Sequence, residues 1–237
     1  IFVAEIFDKE DRKKLSLSNY NLINNLTKDG IYHCYKDKDG VKVFLDDYTY
    51  ITQLTINFYE VTGKIDYFED AKKTAQQTWD LFYDKQNKIL QKNPIEQNDL
   101  FVPPLDINDS NVPNGNSIFL LNCKKLEAIT NDAKWRNMVM ELTQSFHSFL
   151  NLRSTQMVSY IKNLDICEEF TTFTFFGDIN QSRELHEFVK KNYLKSSTLI
   201  YKDDPKETYL VVCKNQTCSN KIKSLSELKL IVKNYAI

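Results

Sequence analysis

The chain has 237 residues, 42% hydrophobic and 13% aromatic, which is enough to bury a sizeable core and excludes disorder as the default state. Lys and Arg number 31 against 32 Asp and Glu, so the net charge is −1 and the basic footprint that nucleic-acid binding needs is missing. No apolar run approaches the roughly 20 residues of a membrane-spanning helix, and the opening Ile1-Phe2-Val3-Ala4-Glu5 meets an acid too early for a signal peptide.

Gly and Pro number only 5 each, which favours helices over a turn-rich β sandwich. The first helical pattern runs from Lys9 to Leu26, with Leu15, Leu22 and Leu26 on one face and Gly30 as its terminator. Ile31 to Val43, around Asp39-Gly40, reads as a hairpin-like loop. A stronger stripe follows in Phe44, Tyr48, Ile51, Leu54 and Phe58, ended by Thr62-Gly63. Its partner carries Phe68, Ala71, Ala75, Trp79 and Phe82, and the short connection implies an antiparallel pair.

Asp84 to Asn111 reads as a long polar connection with Pro94, Pro103 and Pro104. A second helix pair is expected from about Asn116 to Ile129 and, after an Asn131-Asp132 cap, along Trp135, Met138, Leu142, Phe146 and Phe149. The two pairs recur at a spacing near seventy residues. A further helix is expected over Thr155 to Leu164. The pattern then changes: Phe170 to Phe176, Ser197 to Tyr201 and Thr208 to Cys213 read as strands. Helices are expected after Gly177-Asp178 and from Ser224. The division is thus a helical part, 1–167, and a small α/β part, 168–237.

Two phrases stand just before amphipathic helices: Phe44-Leu45-Asp46-Asp47-Tyr48 and Val112-Pro113-Asn114-Gly115-Asn116-Ser117. If those helices are parallel, both phrases meet at one end of the protein. Asp46 and Asp47 suit general acid and base work or the gripping of sugar hydroxyls, and equally suit helix capping. Asn114, Gly115 and Asn116 suit a tight turn into a helix, and their amides and N–H groups equally suit ligand hydroxyls. Tyr48 would stack on or bond a ligand. His33, in the loop before Asp46, is a candidate base; His147 lies on a helix where a satisfied histidine is expected.

The five cysteines, Cys34, Cys123, Cys167, Cys213 and Cys218, are odd in number and mostly scattered, which favours a reducing cytoplasm over a secreted disulfide framework. Cys213 and Cys218 have four residues between them, unlike the Cys-x-x-Cys of redox sites, and no nearby histidine completes a zinc set. A structural role, a disulfide or redox role, and a metal role all stay open for that pair, although no metal site is expected. No nucleophile elbow, phosphate-binding loop or dinucleotide fingerprint is present, and no cofactor is expected. The first residue is not Met, so a fragment or processed piece is the expectation.

With Tyr59-Glu60-Val61-Thr62-Gly63, Pro113-Asn114-Gly115-Asn116-Ser117 and Cys213-Lys214-Asn215-Gln216-Thr217-Cys218 in this order, from Leu15 to Val232, the chain resembles the C-terminal half of the thioredoxin domain-containing family that includes spermatogenesis-associated protein 20. The resemblance implies part of an (α/α)6 toroid similar to N-acylglucosamine 2-epimerases and six-hairpin glycosidases, with inner helices sharing one direction. It departs from the family where Asn114 replaces Ser, where Pro103 and Leu105 replace basic residues, and where Asp84-Lys85-Gln86-Asn87-Lys88 replaces a Gly-rich aromatic turn. The expected fold is mainly α, antiparallel hairpins forming part of a toroid with a small C-terminal α/β subdomain. The leading functional expectation is binding or modification of a carbohydrate. The alternatives are a non-catalytic interaction module, forming a homodimer or pairing with a missing N-terminal fragment, and a redox accessory domain using Cys213 and Cys218.

Overall fold

The strong stripe that begins at Phe44 becomes α1 (Leu45–Thr62). This is the first full helix of the computed structural model, which describes residues 18, 21, 30–33, 43–96, 107–193, 196–214 and 217–234. The helix expected over 9–26, most of the loop over 31–43, and Cys34, Pro103 and Leu105 lie outside the described residues.

α1 carries four threonines, poor intrinsic helix formers, so packing rather than propensity holds it. Thr49, Thr52 and Thr55 are buried, and their hydroxyls return to carbonyls one turn back, with Thr52 to Tyr48 at 2.9 Å and Thr55 to Ile51 at 3.0 Å. Buried hydroxyls thereby cost little, and the slim side chains let neighbouring helices come close. Gly63 ends α1 at φ 69°, its N–H bonding the Tyr59 carbonyl at 2.7 Å.

α2 (Ile65–Phe82) returns antiparallel and buries one stripe, Phe68, Ala71, Ala75 and Phe82. The expected polar connection after it is corrected in its first part. β1 (Tyr83–Asp84) and β2 (Ile89–Leu90) form a small antiparallel hairpin that inserts Ile89 and Leu90, both fully buried, into the core. Asp84 Oδ1 accepts from Gln86 N–H at 2.8 Å and Asn87 N–H at 3.2 Å, and Lys88 takes the left-handed φ of 54°. A side-chain turn thus closes the hairpin without glycine.

The second pair, α3 (Gly115–Thr130) and α4 (Ala133–Arg153), begins about seventy residues after the first. Asn131 terminates α3 at φ 57°, and Asp132 caps α4 by accepting the Lys134 N–H at 2.9 Å. A short 3-10 turn (Ser154–Gln156) leads to α5 (Val158–Glu168).

Nine consecutive residues of α3, Gly115 to Cys123, are buried, so this helix is enclosed on every side. α1 packs against α2 and α3, and α3 against α4 and α5. Tyr50, near the start of α1, donates to the Pro113 carbonyl before α3, and Ser159, near the start of α5, meets Ser117 at 2.6 Å. Glu60, near the end of α1, meets Lys125 in the second half of α3. The three helices α1, α3 and α5 therefore lie side by side and parallel, with α2 and α4 outside. Full burial of Leu45, Ile56, Phe119, Leu120, Leu126, Trp135 and Phe146 holds the two layers together, each contributing about 1.5–3 kcal/mol in transfer terms.

The C-terminal part is a four-stranded sheet in the order β4-β3-β5-β6. β3 (Thr171–Phe176) and β4 (Ser197–Lys202) are parallel, linked across α6 (Arg183–Tyr193). β5 (Tyr209–Lys214) pairs antiparallel with β3, and β6 (Thr217–Cys218) with β5. Alternate residues Phe173, Phe175, Leu199, Leu210 and Val212 form a second core with α6 and with α7 (Leu225–Asn234). The molecule is mainly helical with a small sheet.

Cys213 and Cys218 face each other across β5 and β6 and are joined by a disulfide. That removes both sulfurs from the metal reading, and it sits against the reducing compartment expected from the cysteine count. Thiol titration of the unfolded chain is expected to count two more thiols after reduction than before; equal counts would refute the pairing. Gly177 is a second sharp constraint. It lies at φ 79°, and a Cβ there would come 2.5 Å from the Glu207 carbonyl. Gly177→Ala is expected to cost about 2 kcal/mol in denaturant unfolding, and an unchanged midpoint would contradict this.

Candidate functional site

The parallel arrangement of α1, α3 and α5 leaves a cavity of about 400 Å³ between them. α1 contributes Tyr50, Gln53 and Asn57, which recur at helical spacing on one stripe. From α3 come Asn122 and Lys125, and from α5 Ser159, Lys162 and Asn163. Ile56, Ile118, Leu121 and Ile166 supply apolar wall between these polar groups. No carboxylate lines it among the described residues.

The polar walls differ in how far they are already committed. Asn122 donates to the Thr49 carbonyl at 2.9 Å and Asn163 to the Ser117 carbonyl at 2.8 Å, which ties adjacent helices together. Gln53 and Asn57 have no hydrogen-bond partner among the described residues and are half-buried. Their amides, each able to donate and accept, are available to a ligand.

The cavity floor is electrostatic. Lys125 Nζ donates to both carboxylate oxygens of Glu60, at 2.9 and 2.7 Å. Glu60 is fully buried and also accepts from Thr198 on β4 at 2.7 Å and from the Leu199 N–H. Burial pushes the Glu60 carboxyl above its usual range, and Lys125, Thr198 and Leu199 oppose that shift. The Glu60 carbonyl takes the Tyr201 hydroxyl, which also meets His186 Nε2 at 2.6 Å. One buried carboxylate therefore joins α1, α3 and the sheet.

The sequence-based candidates separate into two groups. At the start of α1, Asp47 accepts the Phe44 N–H at 2.8 Å and lies 3.0 Å from His33 Nδ1. Asp47 thus caps the helix, and His33 is brought to it with its ring edge-on to Phe44 at 4.8 Å. Asp46 has a buried Oδ1 with no partner. Burial raises its carboxyl, with Asp47 adding and Lys92 and His33 opposing. Asp46 stands one turn before Tyr50 but does not line the cavity. Tyr48 is 9% exposed and edge-on to Phe82 at 5.5 Å, so it packs in the core and does not face a ligand.

At the start of α3, Asn114 is the cap, accepting from Ser117 N–H at 2.9 Å. Gly115 is the first helical residue and buried. Asn116 is 1% exposed and holds the hairpin, accepting from Leu90 N–H at 3.0 Å and donating to its carbonyl at 2.7 Å. This corrects its expected role of positioning hydroxyls: its amide is spent as a substitute peptide. The two phrases do share one end of the helical layer, but none of their candidate residues lines the cavity.

Sequence reasoning passed over the residues that do line it. Gln53 and Asn57 were hidden because the apolar stripe on the other side of α1 dominates the pattern. Also missed was Asp109, which binds the starts of α3 and α5 together. It accepts from Asn114 N–H and Nδ2 at 3.0 Å, from Ser159 N–H at 2.7 Å and from the Ser159 hydroxyl.

The two free cysteines among the described residues are not reactive centres. Cys123 and Cys167 are buried, and burial pushes the Cys167 thiol up to about 12 and the Cys123 thiol well above its usual value. Among the described residues no group of three or more His, Cys, Asp and Glu could hold a metal ion, and no helix is long and apolar enough to cross a membrane. No protein-family model and no curated protein matches this chain.

Two outcomes check this geometry. Lys125→Met leaves the Glu60 charge buried and unpaired, and is expected to cost about 3–5 kcal/mol, with most of the loss recovered when Glu60→Gln is added. A non-recovering double variant would show that the pair is not the joint. For Asp109, burial would raise the carboxyl, but hydrogen bonds from Ser159 and Asn114 outweigh it and hold the group low. A lowered folded value means its stabilisation is present above the unfolded value of about 3.9 and is lost as pH falls through the folded one. Asp109→Asn is expected to flatten the fall of stability with acid below about pH 4, and an identical acid profile would contradict the assignment.

Proposed function

We propose that the chain is a carbohydrate-binding domain whose ligand lies in the cavity between α1, α3 and α5. The observation that carries this is the cavity wall itself: two uncommitted amides, Gln53 and Asn57, with Asn122, Ser159 and the Tyr50 ring, set among isoleucine and leucine. Amides that donate and accept match vicinal hydroxyls, and the apolar strips match the C–H faces of a pyranose. The volume of about 400 Å³ suits one or two sugar rings.

The parallel inner layer with antiparallel outer partners supports reading the helices as an arc of an (α/α) toroid. The resemblance to the thioredoxin domain-containing family and its epimerase-like toroid points the same way. Binding is favoured over chemistry because acid-base work on a sugar needs a pair of groups at the reacting atoms. Neither Asp46 nor Asp47 lines the cavity, and Asp47 is held in a cap. Calorimetric titration with a panel of monosaccharides is expected to give at least one saturable ligand. Gln53→Ala combined with Asn57→Ala is expected to weaken it at least about tenfold, taking two hydrogen bonds of roughly 1 kcal/mol each. A panel without a ligand, or a variant that binds unchanged, would sink this reading.

A second reading is an interaction module. Phe58, on the apolar stripe of α1, is 1% exposed and packs on Tyr67, so it supplies no open surface. Two exposed apolar side chains sit close together on α5, where Val158 is 62% and Ile161 42% exposed. A homodimer, or pairing with an N-terminal fragment, would cover them. Light scattering that gives a monomer for both wild type and Val158→Asp would remove this reading.

A further inference from the structure

We infer that the saccharide held between α1, α3 and α5 is anionic, a sugar acid or sugar phosphate whose charged group pairs with Lys162. This rests on the carbohydrate reading and narrows it to a chemical class. The first ground is the sign of the wall. It carries two lysines, Lys125 and Lys162, and no carboxylate among the described residues. A site for a neutral sugar is built as readily with aspartates, which grip hydroxyl pairs; an anion would be repelled by them.

The second ground is that the two lysines stand in different states. Lys125 is buried with its charge matched by Glu60, which fixes its ammonium at the floor. Lys162 is exposed and makes no ion pair, although Asp165 stands one turn further on α5. Asp165 does not line the cavity. An unmatched ammonium at the rim of a cavity whose floor is already neutralised gives that cavity a net positive charge. The free amides of Gln53 and Asn57 complete the arrangement, since an N–H of either can donate to a carboxylate or phosphoryl oxygen.

A neutral sugar would gain no ion pair from Lys162. An acidic one gains an attraction that weakens with salt because the rim is exposed. The partner is therefore defined by a polyol body and one anionic group. Carboxylate and phosphate satisfy the geometry alike, and only measurement separates them.

The test is a titration of the wild-type chain with glucose, glucuronate, glucose 6-phosphate, acetate and inorganic phosphate at low salt, repeated with Lys162→Gln and Lys162→Arg. Glucuronate or glucose 6-phosphate is expected to bind about fivefold tighter than glucose, a rim ion pair's worth. Lys162→Gln should erase that margin, and Lys162→Arg should keep it. The better of the two acids identifies the anionic group. Equal binding of glucose and both acids, or a Lys162→Gln variant that keeps the margin, overturns the anionic inference while the carbohydrate reading stands. Acetate or inorganic phosphate binding as tightly as the acid sugars overturns the sugar body of the ligand. No binding by any saccharide overturns both.

Discussion

A single buried carboxylate holds the molecule's parts in register. Glu60 accepts from Lys125, 65 residues away in sequence, and from Thr198, 138 residues away. Removing both charges from water costs several kcal/mol per ion, and their attraction repays it only in a fully bonded setting. That setting exists here in two ammonium contacts, a hydroxyl and the Leu199 N–H. A one-residue slip of α1 past α3 would leave a charge stranded. The pair is therefore better understood as a registry device than as a source of net stability, and it seats the small sheet on the helical layer.

The cavity follows from what this register leaves over. The parallel helices meet through polar side chains more than a helical core usually allows: threonines bonded to their own helix, and asparagines bonded to neighbouring backbones. Each is satisfied, so each is tolerated. At Gln53 and Asn57 the same residue types find no protein partner. These half-buried, uncommitted amides stand beside asparagines and threonines that are bonded, and they are the groups the proposed ligand would engage.

Much of this was legible in the sequence wherever one residue decides a local geometry. Gly63 and Asn131 in left-handed conformations and Asp132 as a cap placed the helix boundaries. The alternating aromatic run placed β3. The parallel approach of α1 and α3 stood in the sequence only as a condition and as what the resemblance implies. The hairpin at Tyr83–Leu90 was not legible, because Asp84 and Lys88 build its turn without glycine. With the hairpin unseen, Asn116 had no visible partner and was assigned to a ligand. Glu60 and Lys125 were invisible for a related reason: charged residues inside apolar stretches read as solvent-facing until a partner 65 residues away is brought to them.

The cysteines and carboxylates show the same limit from the other side. Spacing alone left Cys213 and Cys218 open, and the antiparallel register of β5 and β6 decided it. The Asp46-Asp47 pair divided: Asp47 caps α1, and Asp46 keeps a buried carboxylate oxygen without a partner and does not line the cavity. The most direct test of the account is nuclear magnetic resonance of the side-chain amides during a saccharide titration. The account expects the resonances of Gln53, Asn57, Asn122 and Asn163 to move together with one binding curve while that of Asn116, locked to Leu90, stays still. Movement confined to the His33–Asp47 end, or no amide moving while ligand binds, would contradict it.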